Sequence, residues 1–319
     1  MFNNLQKNNP ILIAELCQNH CGSVTLMREM VHAASEAGVK YIKIQDIHSN
    51  ELIKRARFDN KKNSSLFRPF LDEYKRLKKL DLPKNFVSIF VNECYKRKCK
   101  PIITPFTHKS YDRIKNKKLS AIKIASYDST SISLLNRLKE LNLPFIISTG
   151  ATTNSQIEKT AKIMRGFQYA FLHCVTVYPT PLHLCNLLKI KFLKKFTPNV
   201  GWSDHTKFEE NSHVASLAAV LSGAKIIERH FTILDRSKTK DGVVSINEKD
   251  AKEFLKISKL KNSEIKNYLK DLNKNWKATY NFKSNRLSKI ERLNLDYYRG
   301  RFATKYKNKI VYNWKNFNN

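Results

Sequence analysis

Glycine is scarce in this chain, with eight residues in 319, against usage near 7% in ordinary domains. Each one is therefore expected where the backbone requires it. No glycine-rich phosphate loop follows any apolar run, which disfavours a doubly wound open sheet, the runner-up architecture. No apolar run approaches ~18 residues, and Met1-Phe-Asn-Asn lacks the pattern of a signal peptide. The expectation is a cytoplasmic chain with no membrane partner. The six cysteines (Cys17, Cys21, Cys94, Cys99, Cys174 and Cys185) form no CxxC and no regular framework. Their apolar neighbours, as in Ala14-Glu-Leu-Cys17 and Leu172-His-Cys174, read as reduced thiols filling small core positions. Acidic residues are also few, 27 against 59 Lys and Arg, for a net charge of +32. That charge fits either a polyanion-binding protein or a solvated, lysine-rich surface that steers a small anionic substrate. The lysines are spread along the chain among asparagines, without a nucleic-acid-binding motif, and this favours the solvated surface. Residues 283–319 are the exception, with ten Lys and Arg against Glu291 and Asp296.

What the chain has is alternation. Short apolar runs are read as strands at Ile11–Cys17, Tyr41–Gln45, Pro101–Thr104, Ala121–Ala125, Pro144–Ser148, Tyr169–Val175, Val200–Trp202 and Lys225–Glu228. Helical periodicity follows at Leu26–Ala37, Phe86–Lys98, Ser131–Leu141, Ser155–Met164, Leu184–Phe196, Asn211–Ser222 and Lys249–Leu260. Residues 46–83 are a polar, basic insertion. Polar residues close the strands: Glu15, Lys43, Thr104, Lys123, Ser148, His173, Ser203 and His230. Eight such units predict a (β/α)8 TIM barrel with these residues on its catalytic face. The barrel is assigned to 1–265 and a basic, aromatic C-terminal extension to 266–319.

Two strands close on histidine, at Asn199-Val-Gly-Trp-Ser-Asp-His205 and Lys225-Ile-Ile-Glu-Arg-His230. Equivalent ends of adjacent strands would bring both imidazoles to one face, each with a carboxylate nearby in Asp204 and Glu228. His205 and His230 are thus candidate metal ligands with open positions left over. Oxygen and nitrogen ligands without cysteine thiolate admit Mn, Mg, Co or Zn. Lys43 and Lys123 end apolar strands, where an unpaired ammonium is costly. Either forms a Schiff base, or both hold one multiply charged anion. The hydroxyls of Thr104, Ser126, Ser148 and Ser203 favour an anion cage. So does the Ser148-Thr-Gly150 turn, which aims backbone N–H groups outward before a helix. Glu15 inside an apolar strand has either a task or a partner in Lys43. Asp241 lies in a polar loop after the last strand.

These motifs, in this order, resemble the sialic acid synthase family. The matching segments are Ile13-Ala-Glu-Leu-Cys-Gln-Asn-His20, Ile42-Lys-Ile-Gln45, Ile103-Thr-Pro-Phe106, Ile122-Lys-Ile-Ala-Ser126, Ile147-Ser-Thr-Gly150, Leu172-His-Cys174 through Tyr178-Pro-Thr-Pro181, Gly201-Trp-Ser-Asp-His-Thr206 and Glu228-Arg-His-Phe-Thr232. The resemblance implies a metal-dependent condensation of phosphoenolpyruvate with an open-chain N-acylated hexosamine, giving a nonulosonic acid and phosphate. It implies that His205 and His230 bind a divalent ion, usually Mn2+ with Mg2+ or Co2+ as alternatives, and that Glu228 holds a water on it. Lys43, Thr104, Lys123, Ser126, Ser148, Tyr178 and Ser203 would surround phosphoenolpyruvate. Glu15, Gln45, Tyr178 and Asp241 would face the sugar, with Glu15, Glu228 and Asp241 the catalytic candidates. A homodimer is the family default.

The chain departs from the family's pattern twice. The loop after the last strand usually reads Gly-Pro-Asp-His; here it is Thr239-Lys-Asp-Gly-Val-Val-Ser245, which keeps Asp241 without the histidine. The usual C-terminal antifreeze-like domain, which supplies an arginine to the partner's sugar pocket, does not fit into 266–319. Arg299 or Arg301 is a candidate replacement, against a basic surface tail packed by its aromatics. The sugar is N-acetylmannosamine-like, or a diacetamido-dideoxy hexose as for legionaminic or pseudaminic acid. A Schiff-base keto-acid aldolase and a non-catalytic polyanion-binding barrel are the competing functions.

Overall fold

The computed structural model describes residues 9–60, 66–281 and 287–317. Met1–Asn4, Lys283 and Arg286, used above, lie outside them. Eight parallel strands close into a barrel: β1 Ile11–Glu15, β2 Tyr41–Asp46, β3 Lys100–Pro105, β4 Ala121–Ile124, β5 Phe145–Ser148, β6 Tyr169–His173, β7 Val200–Asp204 and β8 Ile226–Phe231. Each pairs with its sequence neighbour, and β1 pairs with β8 through Ile11↔Ile226 to Glu15↔His230. The chain is a (β/α)8 TIM barrel. A two-residue strand, β9 Ser245–Ile246, adds to β8 at the rim.

Period-two alternation decides what the barrel holds. Ile13, Tyr41, Ile102, Ala121, Ile146, Ala170, Leu172 and Ile226 form an interior cluster separate from the main core. Their neighbours Ala14, Ile42, Ile103, Ile122, Ile147, Phe171, Trp202 and Ile227 face outward and pack under the helices. One step further along each strand, the inward positions become polar and form a second layer on the apolar floor. Gly201 lets β7 and β8 approach at that floor: a Cβ there would lie 2.1 Å from the Ile226 carbonyl oxygen.

The helices bury the stripes that their sequence spacing requires. Val24–Glu36 is capped by Ser23, whose Oγ accepts from Leu26 N at 3.1 Å, and it buries Met27, Met30, Val31 and Ala34. Two expected helices are broken. Leu184–Phe196 reduces to a single turn and the short helix Lys189–Leu193, because Asn186 takes φ 46° and Leu187 N is drawn to Thr279 O at 2.9 Å. Asn211–Ser222 divides at Ser212, φ 43°, into Phe208–Asn211 and Val214–Leu221. Strand limits also moved: β1 stops at Glu15, while β8 runs through His230 to Phe231.

The C-terminal chain roofs the barrel mouth. Helix Asn262–Leu272 crosses the expected boundary at 265 and buries Ile265 and Leu269. Helix Lys289–Tyr298 is followed by a hairpin of β10 Thr304–Tyr306 and β11 Lys309–Val311. Ile53 N donates to Arg301 O at 2.9 Å and Ala303 N to Glu51 O at 3.2 Å. The tail therefore docks on the insertion between β2 and β3. Among the described residues no helix is long and apolar enough to cross a membrane.

Parity sends His173 and Asp204 away from the mouth, contrary to the sequence expectation. His173 Nε2 lies 2.8 Å from Cys185 O behind the barrel wall. Asp204 forms a fully buried ion pair with Arg229, and also accepts from Thr206 N at 2.9 Å and Ser216 Oγ at 2.6 Å. Burial pushes the Asp204 carboxyl up, but Arg229 and the hydrogen bonds outweigh it and hold it below the usual range. Removing one partner of such a pair costs about 3–5 kcal/mol. Arg229→Met should lower stability by that order at pH 8. The gap to wild type should narrow toward pH 4, where the stranded carboxyl takes up a proton. Denaturant melts at several pH values check this; a penalty independent of pH would contradict it.

Candidate active site

The polar layer above the barrel floor is a network of alternating charge. Lys43 from β2 is paired with Glu15 of β1, its register partner, and lies 3.6 Å from Glu228 Oε2 and 3.2 Å from Thr104 Oγ1. Lys123 Nζ of β4 is 3.4 Å from Glu228 Oε1. Glu228 of β8 thus sits between the two ammonium groups, and Ser203 Oγ donates to its Oε1 at 2.8 Å. Gln45 Nε2 donates to Glu15 Oε1 at 3.0 Å. All of Glu15, Lys43, Lys123, Ser203 and Glu228 are buried. A cavity of about 490 Å³ opens over them.

Electrostatics follow from this packing. Burial opposes charge on Lys43, but Glu15 and then Glu228 outweigh it and raise its pKa. At Lys123 burial wins, with Lys43 adding to it, and the pKa falls despite Glu228. Burial would push the Glu228 carboxyl up, yet Lys123, Lys43 and the Ser203 hydrogen bond hold it well below the carboxylate range. Glu228 therefore stays ionised and acts as an acceptor.

His205 and His230 adjoin this network: Ser203 Oγ, which donates to Glu228, lies 3.4 Å from His205 Nε2, and His230 is the register partner of Glu15. Their ring centroids are 5.4 Å apart and nearly perpendicular, at 87°. His205 Nδ1 faces Val175 O at 3.4 Å, which leaves Nε2 to accept from the Tyr178 hydroxyl at 3.0 Å. Tyr178 stacks on His205 with centroids 4.1 Å apart. His230 is 6% exposed, and its Nδ1 has no partner among the described residues. Asp241, from the loop after β8, accepts from Cys17 Sγ at 2.8 Å. Burial and then Asp241 and Glu15 push the Cys17 thiol well up. Burial pushes the Asp241 carboxyl up, but His230 and Cys17 turn the balance and lower it.

The Ser148-Thr-Gly150 turn does not aim its backbone N–H groups outward as expected: Thr149 N donates to Leu172 O at 2.9 Å. Ser148 Oγ is buried without a partner among the described residues. Gly150 N donates to Ser126 Oγ at 3.1 Å. A Cβ on Gly150 would lie 2.6 Å from Cys174 Sγ and 2.9 Å from Ser126 Oγ, so a side chain there would fill the cradle.

All thirteen residues singled out from the sequence line this one cavity: Glu15, Lys43, Gln45, Thr104, Lys123, Ser126, Ser148, Tyr178, Ser203, His205, Glu228, His230 and Asp241. Others were missed. Cys17 stands in the wall two residues beyond Glu15, where strand parity would have placed it. Arg68 and Arg76 reach the cavity from the insertion, and Asn294 and Tyr298 from the tail. Of the two candidate arginines, Arg301 lines the cavity, 8% exposed, with Nη1 2.9 Å from Glu73 Oε1. Arg299 instead lies over the Trp314 ring.

Burial first, and then His230, lower the His205 pKa to about 3. The imidazole is neutral at physiological pH and offers a lone pair. In metal-free protein its NMR ring signals should not titrate between pH 5 and 8. A midpoint near the ordinary histidine value of about 6.5 would contradict this placement.

The chain's relatives agree with this geometry. Residues 30–270, more than half of the chain, match the NeuB family model. N-acetylneuraminate-9-phosphate synthase of Drosophila melanogaster is 34% identical over 253 residues, which cover 76% of this chain and 65% of the fly protein. The chain thus spans just under two thirds of that relative's length. N,N'-diacetyllegionaminic acid synthase of Campylobacter jejuni is 29% identical over 281 residues, covering 83% and 81%. The crystal structure of N-acetylneuraminic acid (sialic acid) synthetase from Leptospira borgpetersenii superposes with a TM-score of 0.68 at 27% identity, covering 91% of this chain and 92% of that one. The chain belongs to the NeuB family, that of the sialic acid synthases its sequence resembles.

Proposed function

We propose that the protein condenses phosphoenolpyruvate with the aldehyde of an open-chain N-acylated hexosamine, releasing a nonulosonic acid and inorganic phosphate. One observation carries this reading: two buried ammonium groups and two buried imidazoles share the wall of a single cavity. The lysines suit a trianionic substrate. The imidazoles suit a divalent cation, Mn2+, Mg2+ or Co2+, held by His205 and His230. The unpartnered Nδ1 of His230 and the neutral His205 ring, whose Nε2 lone pair is held by the Tyr178 hydroxyl, support that fit. Such an ion supplies Lewis-acid polarisation of a carbonyl oxygen.

The chain's own groups do the rest. Lys43 and Lys123 neutralise the phosphate and carboxylate of phosphoenolpyruvate and fix its orientation. Thr104, Ser126, Ser148 and Ser203 offer hydroxyl donors around it. Glu15 with Gln45, Tyr178 and Asp241 face the sugar. C3 of phosphoenolpyruvate forms a bond to the aldehyde carbon, whose oxygen takes a proton. Glu228, ionised between the lysines, orients the water that adds at C2. The bond from C2 to the bridging oxygen then breaks and inorganic phosphate departs. The relatives' named products, sialic-type and legionaminic-type acids, support an N-acylated amino sugar as the acceptor. Arg301 and Tyr298 close the sugar end from within the same chain.

A second reading rests on Lys123, whose lowered pKa suits a Schiff-base amine. Borohydride trapping with a keto acid would label it there and would leave a phosphoenolpyruvate synthase unlabelled.

Phosphate release from phosphoenolpyruvate, measured with Mn2+ across a panel of N-acylated amino sugars, should require one of them. His205→Ala should lower that rate by about 10²-fold or more, the scale of losing one preorganised electrostatic group. Undiminished release in that variant after chelation, or no release with any acylated sugar, would overturn the proposal.

A further inference from the structure

Cys17 takes no part in the chemistry above, yet the fold holds it at the centre of the site. It is not a strand residue: β1 ends at Glu15, and Cys17 adopts φ 48°, the left-handed region that side chains other than glycine rarely enter. A local conformation of this kind persists only where its surroundings over-determine it, and such residues cluster at functional sites. The turn aims the thiol at the loop after β8. There Sγ donates to Asp241 Oδ2 at 2.8 Å, and Gln45 Nε2 stands 3.4 Å away.

Cys17, Asp241 and His230 each offer one ligand atom, and the three atoms all lie within 4.8 Å of one another. Donors that share an ion at about 2.0–2.3 Å are separated by at most about 4.6 Å, so the triplet needs to close by no more than a few tenths of an ångström to share one centre. His230 supplies an independent sign of a ligand: it is 94% buried by its 6% exposure, and its Nδ1 has no partner among the described residues. His205 stands across the ring pair, 5.4 Å from His230 between centroids.

We propose that Cys17 and Asp241 join His230 as direct ligands of the divalent cation, one thiolate and one carboxylate beside an imidazole. The proposal rests on the metal reading above and narrows it. Binding replaces the thiol proton, which passes to solvent, and the hydrogen bond to Asp241 gives way to two bonds to the ion. No electrons move. A sulfur donor shifts preference toward softer ions, so Zn2+ and Co2+ bind this site far more tightly than Mg2+. This departs from the expectation of nitrogen and oxygen ligands alone.

Co2+ is the probe. Added anaerobically to the full, metal-free chain, it should give an intense near-ultraviolet sulfur-to-cobalt charge-transfer band at one ion per chain. Calorimetry in buffers of different ionisation enthalpy should detect about one proton released on binding. Cys17→Ser should abolish the band and weaken Co2+ and Zn2+ binding by at least about tenfold, with a smaller loss for Mg2+. Cys21→Ser, at an exposed thiol outside the cavity, should keep the band. X-ray absorption on the Zn2+ form should find a sulfur at about 2.3 Å, a readout independent of any variant's folding. Stoichiometric Co2+ binding without the band, or a band that survives Cys17→Ser, would overturn the thiolate ligand and leave the histidine site standing. Failure of Co2+, Zn2+ and Mn2+ all to bind would overturn both.

Discussion

Two ammonium groups held inside a barrel are the constraint on which the rest of this structure depends. A buried lysine without compensation is costly, and a pair repels itself. The chain meets this with Glu228 placed between Lys43 and Lys123 and with Glu15 on the far side of Lys43. The four side chains come from β1, β2, β4 and β8, so a closed ring of strands is needed to gather them. The resulting layer is compensated but preorganised. It holds fixed charges of both signs at the base of a cavity, where low dielectric makes each of them strong. A multiply charged anion entering there meets donors that need no rearrangement, the condition under which electrostatic catalysis is largest.

Beside this charged layer lies a second group of polar side chains. Burial keeps His205 neutral, and the loop after β8 brings Asp241 down beside His230 and Cys17. In the proposed reaction the first group would fix the anionic nucleophile and the second the electrophilic carbonyl. Through Phe302 and Arg301 the tail closes over the insertion between β2 and β3 and adds Arg301 to the cavity wall.

Much of this was legible in the sequence because strand parity is a strict code. Once Glu15, Lys43, Lys123 and Glu228 are placed on inward positions, their meeting follows from closure alone. The same code misassigned two residues when strand ends were judged by position instead of parity. His173 and Asp204 each sit one step off the inward register and face the helices. Helix limits failed where single residues left the helical region. Asn186 and Ser212 adopt positive φ inside sequences of good helical period, and nothing local announces it. Cys17 was read as core filler because its partners are more than two hundred residues away. Arg68 and Arg76 were invisible for the same reason, since both reach the cavity from the insertion. Long-range docking of loops leaves no periodic trace in a sequence, whereas a barrel strand does.

The claim that one cavity brings an anion and a cation together is open to direct observation. Crystals grown with phosphoenolpyruvate and Mn2+ should place the ion, located by anomalous scattering, in contact with both His205 and His230. The phosphate and carboxylate oxygens of phosphoenolpyruvate should lie within hydrogen-bond reach of Lys43 and Lys123. Phosphoenolpyruvate bound elsewhere, or an ion that touches neither imidazole, would contradict it.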